Sequence, residues 1–188
     1  MWADVYDKIG PSGVAIAVLA FVSVYLLFYG ALYMAWVPFG YRRFLAALKR
    51  PEPPVTDELA ARNPLSSVVW TVLSNKTPRA EIQSEVQYFF QRSFSSIYIT
   101  LTSLRLISVI SPLLGLLGTI LGITRVFREM SYNTVVDNAM LAGGIWEALI
   151  TTIMGLSVAI PTLIFYYVLR LRVRSLMIDC IENIRRLM

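Results

Sequence analysis

Residues 147–170 read EALITTIMGLSVAIPTLIFYYVLR, and between Glu147 and Arg170 lie 22 residues without a charge. A helix needs about 20 mostly apolar residues to cross the hydrocarbon core of a bilayer, where only internal hydrogen bonds satisfy its backbone. The run predicts a membrane-spanning helix. Upstream the chain stays uncharged from Glu147 back to Asn138, so the span is placed at 140–169, with Glu147 inside it.

Working outward, residues 106–124 form a second uncharged run, bounded by Arg105 and Arg125. A third lies between Lys8 and Arg42, with its apolar body at residues 14–36. This first run is too long for the apolar core of a cleaved signal peptide. Asp4 and Asp7 stand where such a peptide carries positive charge, so a retained span is expected. The composition agrees. Of 188 residues, 56% are hydrophobic and 15% charged, against about 45–50% and about 25% in soluble domains. No histidine is present, which excludes histidine bases, His-ligated metals and Ser-His triads within this chain. A single cysteine, Cys180, excludes an intrachain disulfide. Neither a metal nor a cofactor is expected.

Charge sets the expected orientation. Residues 42–105 carry nine of the 17 basic residues and residues 170–188 carry five; the opposite side holds Lys8, Arg125 and Arg128. The positive-inside rule then places the N-terminus in the periplasm and the C-terminus in the cytoplasm. Topology accounts for the net charge of +5, and nucleic-acid binding is not needed. The expected layout is a periplasmic N-terminus (1–12), span one (13–36), a cytoplasmic helical region (37–104), span two (105–127), a periplasmic loop (128–139), span three (140–169) and a cytoplasmic C-terminal helix (170–188). The fold class is an all-α integral membrane protein.

Within the cytoplasmic region, residues 39–48 mix Arg42, Arg43 and Lys49 with Phe44, Leu45 and Leu48, a pattern suited to a membrane-surface helix. Pro51, Pro53 and Pro54 end it. Asn63-Pro64 opens a short segment. Thr77-Pro78 reads as an N-cap and first helical residue, with Glu81 in the first turn. From Ile82 an apolar stripe runs at helical spacing through Val86, Phe89, Phe90, Phe94, Ile97, Leu101 and Leu104. With no breaker in view, it predicts one unbroken helix leading into span two. Another stripe, from Val173 through Met177, Cys180 and Ile184, carries span three inward, and such stripes are most often packing faces.

Span two holds a series of small residues: Ser111, Gly115, Gly118, Thr119 and Gly122. Small residues let helices approach closely in membranes, so the glycines read first as packing positions. Thr119 has the alternative of bonding back to its own helix. Span three holds Glu147, and a carboxyl at mid-bilayer costs roughly 2.5–3.5 kcal/mol. It is expected to face protein or water. At about 100° per residue, Gly144, Thr151, Gly155, Val158 and Thr162 share its face, whereas Thr152 lies about 140° away. Pro161 leaves the Ser157 carbonyl without its usual donor, and a kink or local water access is expected there.

Ser111-Pro112-Leu113-Leu114-Gly115-Leu116-Leu117-Gly118-Thr119 with Gly122 resembles the second-span signature of the MotA/TolQ/ExbB proton-channel family. The stretch Gly144 to Thr152, then Gly155-Leu156 and Ala159-Ile160-Pro161, resembles its third-span signature. The likeness covers about residues 105–170, and the three-span layout fits the ExbB/TolQ branch. It implies a ring-forming homo-oligomer, a homopentamer, in a bacterial inner membrane. Single-span helices of an ExbD/TolR-like partner stand inside the ring, and a TonB/TolA-like protein receives the work. It also implies that Glu147, Thr119 and Thr152 line the proton path. The residue-level reading adds Thr151 to that path and assigns Gly115, Gly118, Gly122, Gly155 and Pro161 to helix packing.

Three functions are weighed on these grounds. The favoured one is a proton-channel subunit that couples the proton motive force to transport or envelope work. A passive scaffold for a partner helix is the alternative. A membrane enzyme is disfavoured, since neither an activated nucleophile nor a metal-ligand cluster stands out.

Overall fold

The computed structural model describes residues 2–48, 63–75, 78, 81–132 and 138–187; the side chains of residues 2–11, 47, 138–140 and 147 lie outside that description. The described residues form helices: α1 (Trp2–Leu48), α2 (Pro64–Ser74), α3 (Ile82–Ser93), α4 (Ser95–Tyr132) and α5 (Asn138–Leu187). Three stretches are long and apolar enough to cross a membrane: Ser12–Ala46 of α1, Ser95–Tyr132 and Leu141–Leu187. At 1.5 Å per residue, the 50-residue α5 is about 75 Å long, more than twice the roughly 30 Å of a hydrocarbon core. A helix of that length exceeds what one crossing requires. Phe21 is 80% exposed, and Leu113, Ile120, Ile153 and Ile164 are exposed as well. Side chains of this kind in an outward position fit lipid as the solvent.

The chain divides into two units. One comprises Met1–Leu27 and Ser103–Tyr166, the other Phe28–Thr102 and Tyr167–Met188. The second is filled by large side chains. Phe90, Phe94, Leu65, Ile82, Ile97 and Ile184 are fully buried. The Phe90 and Phe94 rings stack at 4.2 Å, and Tyr33 meets Phe94 edge-on at 6.0 Å. Helices α2 and α3 pack against each other, and the Asn75 amide donates to the Glu85 carboxylate at 3.0 Å.

Three expectations for this unit are corrected. Residues 39–48 are not a separate surface helix but the end of the 47-residue α1. Val37, Tyr41 and Phe44 lie on one helical face and are all buried, so packing continues the helix past Pro38. The helix leading into span two is interrupted at Phe94, which caps α3 with φ −104° and ψ 18° before α4 starts at Ser95. The Phe94 amide still donates to the Phe90 carbonyl at 2.9 Å, and its own carbonyl accepts from Ile97 at 3.0 Å. Propensity shows no breaker here; the buried, stacked ring is what the local turn accommodates.

Asn63 caps α2, its side-chain oxygen accepting from the Leu65 amide at 3.0 Å, with Pro64 in the first turn. Its amide nitrogen also donates to the Val37 carbonyl at 2.8 Å. That bond requires Gly40, because a Cβ there would lie 2.6 Å from the Asn63 nitrogen. The helix expected to open at Pro78 starts later, which corrects that expectation: Pro78 is not helical, and Glu81 stands at the N-cap of α3 instead of in its first turn; Thr77 falls outside the described residues.

The crossing of two spanning helices

In the first unit, α4 and α5 run antiparallel in close contact. The positions that touch on α4 are Ser111, Gly115, Gly118, Gly122 and Val126; on α5 they are Gly155, Thr151, Ala148 and Gly144. Both series step by three or four residues, the spacing of one helix face, and nearly all members are small. A Cβ on Gly155 would lie 2.5 Å from the Ser111 carbonyl oxygen and 3.2 Å from the Gly115 Cα. A Cβ on Gly115 would lie 3.0 Å from both the Thr151 carbonyl and the Thr152 Cα. A Cβ on Gly122 would meet Ala148 at 2.9 Å. Backbone thus rests on backbone, the close approach that small residues permit. Ser12 of α1 also reaches the seam, with its hydroxyl 2.8 Å from a Cβ built on Gly118.

The hydroxyls of α5 use this proximity. Thr152 donates to the Gly115 carbonyl at 3.0 Å, across the seam. Thr151, buried, donates to Ala148 at 2.7 Å and lies 3.4 Å from the same Gly115 oxygen. Neighbours some 100° apart on one helix thereby converge on one carbonyl. Both reach it because the Gly115 backbone sits against that turn of α5. Thr119 is turned back on α4 and donates to the Leu116 carbonyl at 2.6 Å. Thr162 is buried and donates to Val158 at 2.7 Å, one turn back. Pro161 lies within α5. The Ser111 hydroxyl is fully buried and has no hydrogen-bond partner among the described residues. The backbone of Glu147 belongs to α5, immediately before Ala148; its side chain lies outside the described residues.

Sequence reasoning singled out the glycines but not Ala148, Val126 or Ser12 as seam residues. The signal for the first two was available: the spacing 144, 148, 151, 155 on α5 mirrors 111, 115, 118, 122 on α4 when read in reverse, and Val126 continues the α4 series by four. Ser12 carried no such signal.

Three apolar helices of spanning length, two of them locked by a glycine seam, define a multi-span α-helical membrane protein. The model of the MotA/TolQ/ExbB proton channel family matches residues 57–180, and the chain belongs to that family. It is 36% identical over 127 residues to a Methanothermobacter thermautotrophicus homologue of the biopolymer transport protein ExbB, covering 67% of this chain and 44% of that one. It is 55% identical over 71 residues to an ExbB-like biopolymer transport protein of Synechocystis, covering 37% of this chain and 34% of the other. The Tol-Pal system protein TolQ of Haemophilus influenzae is 41% identical over 70 residues, covering 37% and 31%. The matched region spans less than half the length of each of these relatives. Their names fall in the ExbB/TolQ branch expected from the three-span layout.

Proposed function

We propose that this chain is a proton-conducting subunit of an inner-membrane motor that energises transport or envelope work through a partner protein. The observation that carries the reading is the placement of Glu147: the one carboxyl between Asn138 and Leu169, within the region that the proton channel family model matches. A lone intramembrane carboxyl is a functional group by default, since insertion alone disfavours it. The hydroxyls of Thr151 and Thr152, one turn further along α5, and of Thr119 on α4 are assigned to the same proton path, each donating in this structure to a backbone carbonyl. The driving term is about 2.3 kcal/mol per charge per 100 mV. The chain moves protons and catalyses no covalent step.

In this reading, copies of the chain form a homopentameric ring around an ExbD/TolR-like single-span helix. A carboxylate on that helix exchanges protons with Glu147, and a TonB/TolA-like protein carries the output. The N-terminus is periplasmic and the C-terminus cytoplasmic. The deciding test is complementation of a strain lacking the chain, with membrane levels checked by blotting. Glu147→Gln keeps shape and hydrogen bonding but removes the titrating group, and it abolishes energised function while assembly persists. Glu147→Asp retains part of it. Full activity from a normally expressed Glu147→Gln variant overturns the proton-channel role and favours the scaffold.

A further inference from the structure

Where the uncharged run of α5 ends at Leu169, a cavity of about 540 Å³ opens between the start of α4 and the C-terminal half of α5. Its walls include Tyr98, Leu101, Tyr167, Arg170, Arg174 and Met177, and among the described residues none that lines it is acidic. Arg170 and Arg174 are one helical turn apart and project to the same face. Leu101 is buried in the floor, while Tyr167 and Leu171 are exposed at the rim. The cavity therefore joins two fixed positive charges and two phenolic hydroxyls to apolar surface. It does so at the depth where a spanning run gives way to charge.

We propose that this cavity holds the phosphodiester headgroup of an anionic phospholipid, with Arg170 and Arg174 on the phosphate and the acyl chains along the exposed apolar side of α5. Charge complementarity selects this occupant. A guanidinium pair matches phosphate oxygens, the tyrosines supply hydroxyl donors suited to the interface, and basic pockets beside spanning helices suit acidic headgroups. The inference depends on neither proton conduction nor orientation.

The test is native mass spectrometry of the full assembled chain in detergent, titrated with phosphatidylglycerol, phosphatidylcholine or inorganic phosphate. Phosphatidylglycerol is expected to bind in preference to phosphatidylcholine. Arg174→Gln should weaken that binding about fivefold, the equivalent of one basic contact of about 1 kcal/mol. Arg172→Gln, which removes the same charge outside the cavity, should leave it within about twofold. Equal losses from the two variants would reduce the effect to bulk charge and overturn the proposal. Equal binding of phosphatidylcholine, or displacement by millimolar inorganic phosphate, overturns the lipid assignment. Lipid binding that appears only once the oligomer is dissociated shows a second copy seated on the cavity, which also overturns it.

Discussion

The two units of this protein are held together by opposite means. The seam between α4 and α5 works by exclusion: Gly115, Gly118, Gly122, Gly144 and Gly155 leave no room for a Cβ at its closest points. The second unit works by filling, with Phe90, Phe94, Leu65 and Ile97 occupying its interior. Lipid as the solvent accounts for the seam. Between helices in lipid there is little hydrophobic gain, because acyl chains are as apolar as leucine, so close backbone packing and hydrogen bonds such as Thr152 to Gly115 carry the contact. In the filled unit the weight lies on large buried side chains, each worth about 1.5–3 kcal/mol when taken out of water. One unit should resist addition, the other subtraction.

The largest expected effect lies in the second unit. Phe90→Ala removes a fully buried ring stacked on Phe94 and should cost about 3–5 kcal/mol. The thermal unfolding midpoint in detergent reads it, and a cost below that of Gly155→Ala would break the contrast.

Next come the additions to the seam, whose order sharpens it. Gly155→Ala presses a methyl onto the Ser111 carbonyl, which is backbone and cannot swing away, and should cost about 1–3 kcal/mol. Gly118→Ala meets the Thr151 hydroxyl and also, at 2.8 Å, the Thr151 Cβ, which cannot rotate away, and should cost a comparable amount. Gly143 has nothing within 4 Å, so Gly143→Ala should be neutral or stabilising by up to about 1 kcal/mol through helix propensity. Equal effects at 143 and 155 would show that glycine acts here through propensity and not through contact.

Removing the cross-helix hydroxyl is a smaller change. Thr152→Val keeps the volume and loses the bond to Gly115, which should cost about 0.6–1.7 kcal/mol. In complementation it should impair function less than Glu147→Gln, because a hydroxyl orders water without holding the proton. A loss equal to that of Glu147→Gln would move the essential step onto Thr152.

The smallest expected effect is at Cys180. Burial, followed by the neighbouring Asp179 charge, pushes its thiol up to about 12. A raised thiol pKa leaves almost no thiolate at pH 8, so native Cys180 should stay unlabelled by maleimide until the chain is denatured. That silence permits orientation mapping in the native background. Asp4→Cys should label from outside with an impermeant reagent and Pro54→Cys should not; the reverse pattern inverts the orientation. Rapid labelling of native Cys180 would show that the filled unit opens readily.

What the sequence by itself determined is the class. Uncharged runs about as long as the hydrocarbon core is thick, or longer, admit few other structures, and the two glycine-bearing motifs were long and specific enough to indicate the family that residues 57–180 match. The seam glycines were legible for the same reason, since their spacing is a property of one helix. Tertiary structure decided what depends on a partner surface. The turn at Phe94 interrupts a stripe whose period is unbroken, because a buried ring stack overrides local propensity. The continuation of α1 through Tyr41 depends on burial in the second unit and on the bond from Asn63 to Val37, a contact between residues 26 apart. The convergence of Thr151 and Thr152 on one carbonyl was not legible either. Face angles on a single helix set those residues apart, and only the position of a second backbone, the one lacking a side chain at Gly115, brings both within reach.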